Sequence, residues 1–154
     1  LEQSYGLSLT AIGFGTILIG IAELLGEGCT AILADRLGLR RAIFLGGLFC
    51  SVAYFLLPVL DRGLVFVLAG LFLVFFSFEF TIVTSMGLAT EMVPEFRASA
   101  LSAFYAVAAI GRITGAFCGG FAWSHSGILT IGLISGTATL AGLACLALAA
   151  KATR

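Results

Sequence analysis

Five long apolar runs, separated by short segments that hold most of the charge, constrain this sequence more than any other feature. They cover residues 8–33, 42–60, 64–88, 98–122 and 127–150. Each run has about the 20 residues that an α-helix needs to cross the hydrocarbon core of a bilayer. Only 10% of all residues are charged, against about 25% in soluble domains. We therefore predict an integral membrane protein.

Helices are the expected form of all five runs. A backbone in lipid must satisfy its hydrogen bonds within the segment, and the sequence lacks the period-two alternation of a transmembrane β-barrel. The predicted fold class is all-α, with five transmembrane helices joined by short connections. These connections are expected at Asp35–Arg41, Asp61–Gly63, Thr90–Arg97 and Trp123–Ser126.

Basic residues between the runs predict the orientation of the chain. On one side, the first and third connections and the C-terminal end hold Arg36, Arg40, Arg41, Arg97, Lys151 and Arg154. On the other side, the second connection holds Arg62 alone. Because cytoplasmic loops are enriched in Lys and Arg, we expect the first side and the C-terminus in the cytoplasm, and the N-terminus of the chain outside.

Four charged residues fall inside the runs, namely Glu23, Glu27, Glu79 and Arg112. A charge at the bilayer centre costs about 2.5–3.5 kcal/mol on insertion scales, so such residues usually face a cavity or a partner. We hypothesise that Arg112 pairs with Glu23 or Glu79 near mid-membrane. The pair would be either a permanent structural bridge or part of a proton or substrate site. The second and fifth helices carry no charge and are expected at the periphery.

Two helices carry faces of small and polar residues. On the first helix the stripe consists of Gly13, Thr16, Gly20, Glu23, Glu27 and Thr30, at steps of three and four. This stripe either lines a cavity or forms a tight seam between helices, and its two carboxylates favour the cavity. On the fourth helix, Tyr105, Arg112 and Gly119 share a face, while the spacing of Gly111, Gly115 and Gly119 predicts close packing or a bend.

The first connection carries the motif A-I-L-A-D-R-L-G-L-R-R over residues 31–41. It resembles the loop signature of the major facilitator superfamily, G-x-L-A-D-R-x-G-R-R. Ala31 and Leu39 depart from that signature. An ordinary cytoplasmic loop, basic only because of its side of the membrane, is the alternative interpretation.

Asp35, Arg36, Gly38, Arg40 and Arg41 form the predicted cytoplasmic gate motif within this resemblance. Gly38 allows a tight turn. Asp35 can approach a helix N-terminus or an arginine when the cytoplasmic side closes. The arginines hold the connection in the cytoplasm.

A second segment is similar to the same family. V-P-E-F-R-A over residues 93–98 precedes G-R-I-T-G-A-F-C-G-G over residues 111–120, as in the family's fifth or eleventh helix. Its glycines are similar to the antiporter signature G-x-x-x-G-P-x-x-G-G, except that Ala116 replaces the proline. If the chain were the N-terminal half, its third run would be the family's fourth helix, which usually carries an arginine. This run carries Glu79 and no arginine. The resemblance therefore implies helices eight to twelve of the C-terminal six-helix bundle, without the seventh.

The resemblance implies part of a secondary transporter that moves a small organic solute, such as a drug or sugar, by alternating access across the bacterial plasma membrane. An ion gradient, with protons as candidate ions, would drive efflux. The candidate substrate- or ion-binding residues are Glu23, Glu27, Glu79, Tyr105 and Arg112. The implied partners are the N-terminal bundle and the seventh helix of the same protein, the lipid bilayer and the solute.

Other classes of function find little support in the sequence. A net charge of zero gives no case for a nucleic-acid partner. The sequence contains no P-loop and no catalytic motif, so we expect neither enzymatic activity nor a cofactor. Four widely spaced cysteines predict no metal site. The alternative function is a non-transporting membrane scaffold or signalling subunit, whose intramembrane charges hold its helices together.

Overall fold

Helices make up nearly all of the computed structural model, which describes residues 9–152. In chain order they are α1 (Leu9–Leu37), α2 (Leu39–Leu60), α3 (Leu64–Met92), a 3₁₀ turn (Pro94–Phe96), α4 (Arg97–Ser126) and α5 (Ile128–Ala152). All five α-helices are long and apolar enough to cross a membrane. The predicted all-α fold with five spans is confirmed. Ser8, where the first run was expected to begin, and Arg154 lie outside the described residues.

The first connection is a sharp corner rather than the loop expected over Asp35–Arg41. Helix α1 continues to Leu37, and Gly38 alone, with φ 80°, separates it from α2. The Gly38 amide donates to the Ala34 carbonyl at 2.9 Å, and the Gly38 carbonyl accepts from the Ala42 amide at 3.0 Å. Glycine adopts a positive φ without the steric penalty of a Cβ, so one residue is enough to turn the chain.

The second connection lies at residues 61–63 as expected, whereas the third and fourth are shorter than expected. The Trp123–Ser126 segment belongs to α4. The helix is followed by Gly127, where φ is 59° and the amide donates to the Trp123 carbonyl at 3.1 Å. Helix α3 runs to Met92 before the 3₁₀ turn begins at Pro94. Apolar length predicts how much of a helix lies in lipid, whereas glycine and proline determine where the helix ends.

Helix α3 lies at the centre of the bundle. It packs against α1 on one side and α2 on another, and α2 packs in turn against α5. Helix α4 makes looser contact with α3 and α5. Among the described residues of α4, only Ala122 is buried. The bundle therefore leaves most of the surface of α4 uncovered by the rest of this chain.

The contact between α2 and α5 depends on two glycines of α5. A Cβ placed on Gly132 would stand 2.6 Å from the Tyr54 carbonyl oxygen, and one placed on Gly136 would stand 2.7 Å from the Phe55 ring. The buried Ser51 hydroxyl donates to the Gly136 carbonyl at 2.9 Å. Small residues let helix backbones approach closely, and a hydrogen bond then joins them.

The outer face of α2 is apolar from Leu45 to Val59. It exposes Leu45, Leu48, Phe49, Val52, Leu56 and Val59. Steps of three and four place these residues on one side of the helix, and a continuous apolar surface of this kind is typical of contact with lipid. This face agrees with the expected peripheral position of the second helix, while the opposite face of α2 is buried against α3 and α5.

Candidate functional site

Helices α1 and α3 are in backbone contact at Gly26. A Cβ on this residue would stand 2.6 Å from the Phe76 carbonyl oxygen and 3.1 Å from the Cβ of Glu79. Only a residue without a side chain permits so close an approach. One turn further on, the Thr30 hydroxyl lies 3.3 Å from the Phe80 carbonyl of α3 and 3.2 Å from the Gly26 carbonyl. These contacts set the register between the two helices.

This crossing brings together three of the four charges predicted to lie in the membrane. Glu23 and Glu27 flank Gly26 along α1, and Glu79 approaches from α3. Glu79 lies within electrostatic range of both other glutamates. Glu23 and Glu79 are half-buried, and Glu27 is exposed. We refer to Glu23, Glu27 and Glu79 as the carboxylate cluster.

The chemistry open to the carboxylate cluster follows from its uniform charge. Carboxylates that lie close together repel one another, so a proton or another cation bound there relieves the repulsion. No group of three or more His, Cys, Asp or Glu side chains within residues 9–152 is placed to hold a metal ion.

Arg112 does not join the carboxylate cluster. In the described part of the chain, it forms no ion pair with Glu23 or Glu79, and its side chain is exposed. Its helix, α4, packs on α3 and α5. Tyr105 is also exposed, and its hydroxyl lies 3.9 Å from the Met86 sulfur. The hypothesised pairing of Arg112 is thus absent from residues 9–152.

Only part of the predicted stripe on α1 packs against α3. A Cβ on Gly13 or Gly20 would meet no atom within 4 Å among the described residues, whereas Ala22, Gly26 and Ala34 are buried. The residues of α1 that pack against α3 therefore lie on a different side of the helix from most of the stripe. Packing within residues 9–152 explains only part of the stripe.

The glycines predicted to pack on α4 also face open space. No described atom lies within 4 Å of a Cβ placed on Gly111, Gly115 or Gly119, so their packing role stays a prediction. The glycines that do make close contacts are Gly26, Gly46, Gly47, Gly70, Gly132 and Gly136. Sequence reasoning missed these six, because nothing in their local spacing separates them from the other glycines among the 20 of the chain.

The gate motif is divided by the corner at Gly38. A cavity of about 540 Å³ lies between this corner and the end of α3, and it is lined by residues 37–41 together with Leu88, Glu91 and Met92. Arg40 and Arg41 thus belong to its wall. Asp35 and Arg36, in the last turn of α1, are exposed and lie outside the lining.

Comparison with known proteins adds a family to this geometry. The model of the Major Facilitator Superfamily matches residues 1–154. The chain is 28% identical over 133 residues to a curated protein of Bacillus subtilis (strain 168), described as the uncharacterized MFS-type transporter YceJ. The alignment covers 84% of this chain but 34% of that protein, so the chain spans about a third of its relative's length. No solved structure matches the chain.

Proposed function

Because this chain belongs to the Major Facilitator Superfamily, we propose that it is part of a secondary active transporter that moves a small organic solute by alternating access. The family and the transporter relative support a transporter rather than an enzyme. In this proposal the five spans are helices eight to twelve of the C-terminal bundle. The N-terminal bundle and the seventh helix of the same protein complete the transport path.

The carboxylate cluster is the observation that carries the proposed mechanism. Three acidic side chains meet at the α1–α3 crossing, and none of them has a basic partner among the described residues. A carboxylate in a membrane is far less costly when it is protonated than when it is charged. Proton binding on one side of the membrane and release on the other would then couple solute efflux to the proton gradient.

Glu79 is the proposed main proton carrier within the cluster. It is half-buried, it sits at the backbone contact with Gly26, and it lies within electrostatic range of both Glu23 and Glu27. Glu23 and Glu27 would adjust how readily Glu79 takes up a proton.

Tyr105 and Arg112 are the proposed contacts for the solute. Both are exposed on α4, seven residues apart and so on the same side of the helix. The guanidinium group of Arg112 has no acidic partner in the described part of the chain and can bind a polar or anionic group of the solute. A scaffold held together by intramembrane salt bridges would instead need this arginine to be paired.

The proposed location is a bacterial plasma membrane, with the N-terminus of the chain outside and the C-terminus in the cytoplasm. The corner at Gly38 then lies on the cytoplasmic side, where Asp35 and Arg36 are exposed and available to a closing bundle. Single cysteines at positions 36 and 62, in a variant whose four native cysteines are replaced by serine, test this orientation. An impermeant maleimide added outside intact cells should label position 62 and spare position 36, and the reverse pattern would contradict the orientation.

Transport by the intact protein in proteoliposomes tests the mechanism. We would follow ethidium as a drug-like solute and maltose as a sugar-like solute, with and without an imposed pH gradient. Glu79→Gln should reduce gradient-driven transport at least 10-fold and leave solute exchange intact. Glu95→Gln is the matched control, because Glu95 is exposed in the 3₁₀ turn between the spans.

Two outcomes would contradict the proposal. Gradient-driven transport that is unchanged in Glu23→Gln, Glu27→Gln and Glu79→Gln would remove the carboxylate cluster from coupling. A wild-type protein that moves neither solute would favour the scaffold alternative.

A further inference from the structure

We propose that two adjoining cavities beside the α1–α2 corner form a single binding site for an anionic phospholipid, phosphatidylglycerol. The phosphate would bind at Arg40 and Arg41, and part of an acyl chain would occupy a groove between α1, α2 and α3. This site is separate from the carboxylate cluster and does not depend on transport. The proposed orientation of the chain decides only that the bound lipid belongs to the cytoplasmic leaflet.

The cavity of about 540 Å³ at the corner provides the chemistry for the headgroup. Its charged lining residues are Arg40, Arg41 and Glu91. One positive charge of the lining is therefore not compensated, and the single negative charge of a phosphodiester would neutralise it. Arginine binds phosphate oxygens through paired hydrogen bonds. The nearby charges of Asp35 and Arg36 cancel each other.

The second cavity provides the chemistry for an acyl chain. It measures about 200 Å³ and is lined mostly by apolar side chains, among them Leu33, Leu45 and Phe80. One of its polar lining residues is Ser77, whose hydroxyl already donates to the Leu73 carbonyl at 2.7 Å. A ligand that needs hydrogen bonds would gain little in such a groove, whereas a hydrocarbon chain would fit it.

The two cavities lie next to each other, and the second borders the lipid-facing side of α2. Leu37 lines both of them. Leu45 and Phe49 line the groove and also belong to the apolar outer face of α2, so an acyl chain can enter from the bilayer. Phe49 lies eight residues beyond Arg41, which is about 12 Å along the helix at 1.5 Å per residue. That spacing suits a phosphate at the arginines and an acyl chain below it.

Native mass spectrometry of the intact protein, with lipids added in detergent, tests the headgroup contact. Phosphatidylglycerol should be retained at least 10-fold more than phosphatidylcholine or phosphatidylethanolamine. The double variant Arg40→Gln/Arg41→Gln should lose this preference, and Arg40→Lys/Arg41→Lys should keep part of it. Arg62→Gln is the matched control, because Arg62 is exposed just beyond the opposite end of α2.

The acyl contact is tested by filling the groove. Leu45→Trp should lower the retention of phosphatidylglycerol, whereas Leu48→Trp should not, because Leu48 is similarly exposed on the outer face but does not line the groove. Every variant is compared with the wild type by its melting temperature without lipid. If the double glutamine variant unfolds, the single variants Arg40→Gln and Arg41→Gln replace it.

Four results would overturn the proposal. Three of them are unchanged retention of phosphatidylglycerol in the glutamine variants, equal retention of phosphatidylcholine, and equal retention in Leu45→Trp and Leu48→Trp. The fourth is full competition by inorganic phosphate, which would point to a phosphate site without an acyl contact. Because none of these measurements involves transport, a failure here is distinguishable from a failure of the proposed function.

Discussion

Glu79 of α3 lies directly against Gly26 of α1, with its Cβ 3.1 Å from the point where a Cβ on residue 26 would stand. This contact joins two features of the chain that are 53 positions apart in the sequence. A glycine permits the approach of the two backbones, and the approach places Glu79 within electrostatic range of Glu23 and Glu27. The carboxylate cluster is thus a consequence of helix packing.

Gly26→Ala should destabilise the protein by about 1–3 kcal/mol, as overpacking does elsewhere. The added methyl group would stand 2.6 Å from the Phe76 carbonyl oxygen, so the helices must separate. Gly28→Ala is the control, because a Cβ there meets no described atom within 4 Å. The unfolding free energy in detergent measures both changes. Equal stability of the two variants would show that the contact does not limit the approach of α1 and α3.

Ser51→Ala should cost about 0.6 kcal/mol, and at most about 1.7, the range measured for hydrogen bonds between membrane helices. It removes the 2.9 Å bond from the Ser51 hydroxyl to the Gly136 carbonyl of α5. Thr137→Ala serves as the control, since the exposed Thr137 hydroxyl bonds within its own helix, to the Leu133 carbonyl. The same unfolding assay applies. A loss in the control as large as that in Ser51→Ala would contradict the assignment of this bond to the α2–α5 contact.

Gly38→Ala should destabilise the protein by about 1–3 kcal/mol, because an alanine must take a strained backbone conformation at φ 80° and ψ 135°. The space around Gly38 is open, so crowding plays no part. Gly87→Ala is the matched control: a Cβ there would make ordinary contact with Leu39 at 3.7 Å. Thermal unfolding of the two variants separates backbone strain from loss of contacts. An unaffected Gly38→Ala would mean that the corner takes another conformation in the intact protein.

Exchanging Arg112 and Glu79 should not restore the unfolding free energy that the single variants lose. The two residues form no ion pair among the described residues, so the coupling energy of Glu79→Arg with Arg112→Glu should stay within about 0.5 kcal/mol, as for distant sites. Glu23→Gln combined with Glu79→Gln should deviate further from additivity, because these carboxylates interact. A double-mutant cycle on unfolding free energy measures both pairs. Strong rescue by the exchange would place Arg112 beside Glu79 in the intact protein.

The number and order of the spans could be predicted because hydropathy is summed along the chain and needs no knowledge of neighbours. The ends of the helices could be predicted less accurately. Where a helix continues beyond the lipid, its residues are as polar as those of a loop, so hydropathy does not distinguish the two. The segment Asp35–Arg41 was expected as a loop for this reason. It is almost entirely helical, and Gly38 is its only break.

Sequence alone determined the class of the protein, its five membrane-spanning helices, the four charges within them and the glycine at the first corner. Each of these depends on a residue's own chemistry or on its near neighbours in the chain. Only the tertiary structure decided that Glu79 lies with Glu23 and Glu27, that Arg112 forms no ion pair with them among the described residues, and that Gly26 packs against α3. The rotation of each helix about its axis is set by contacts between side chains far apart in sequence, and hydropathy carries no record of it.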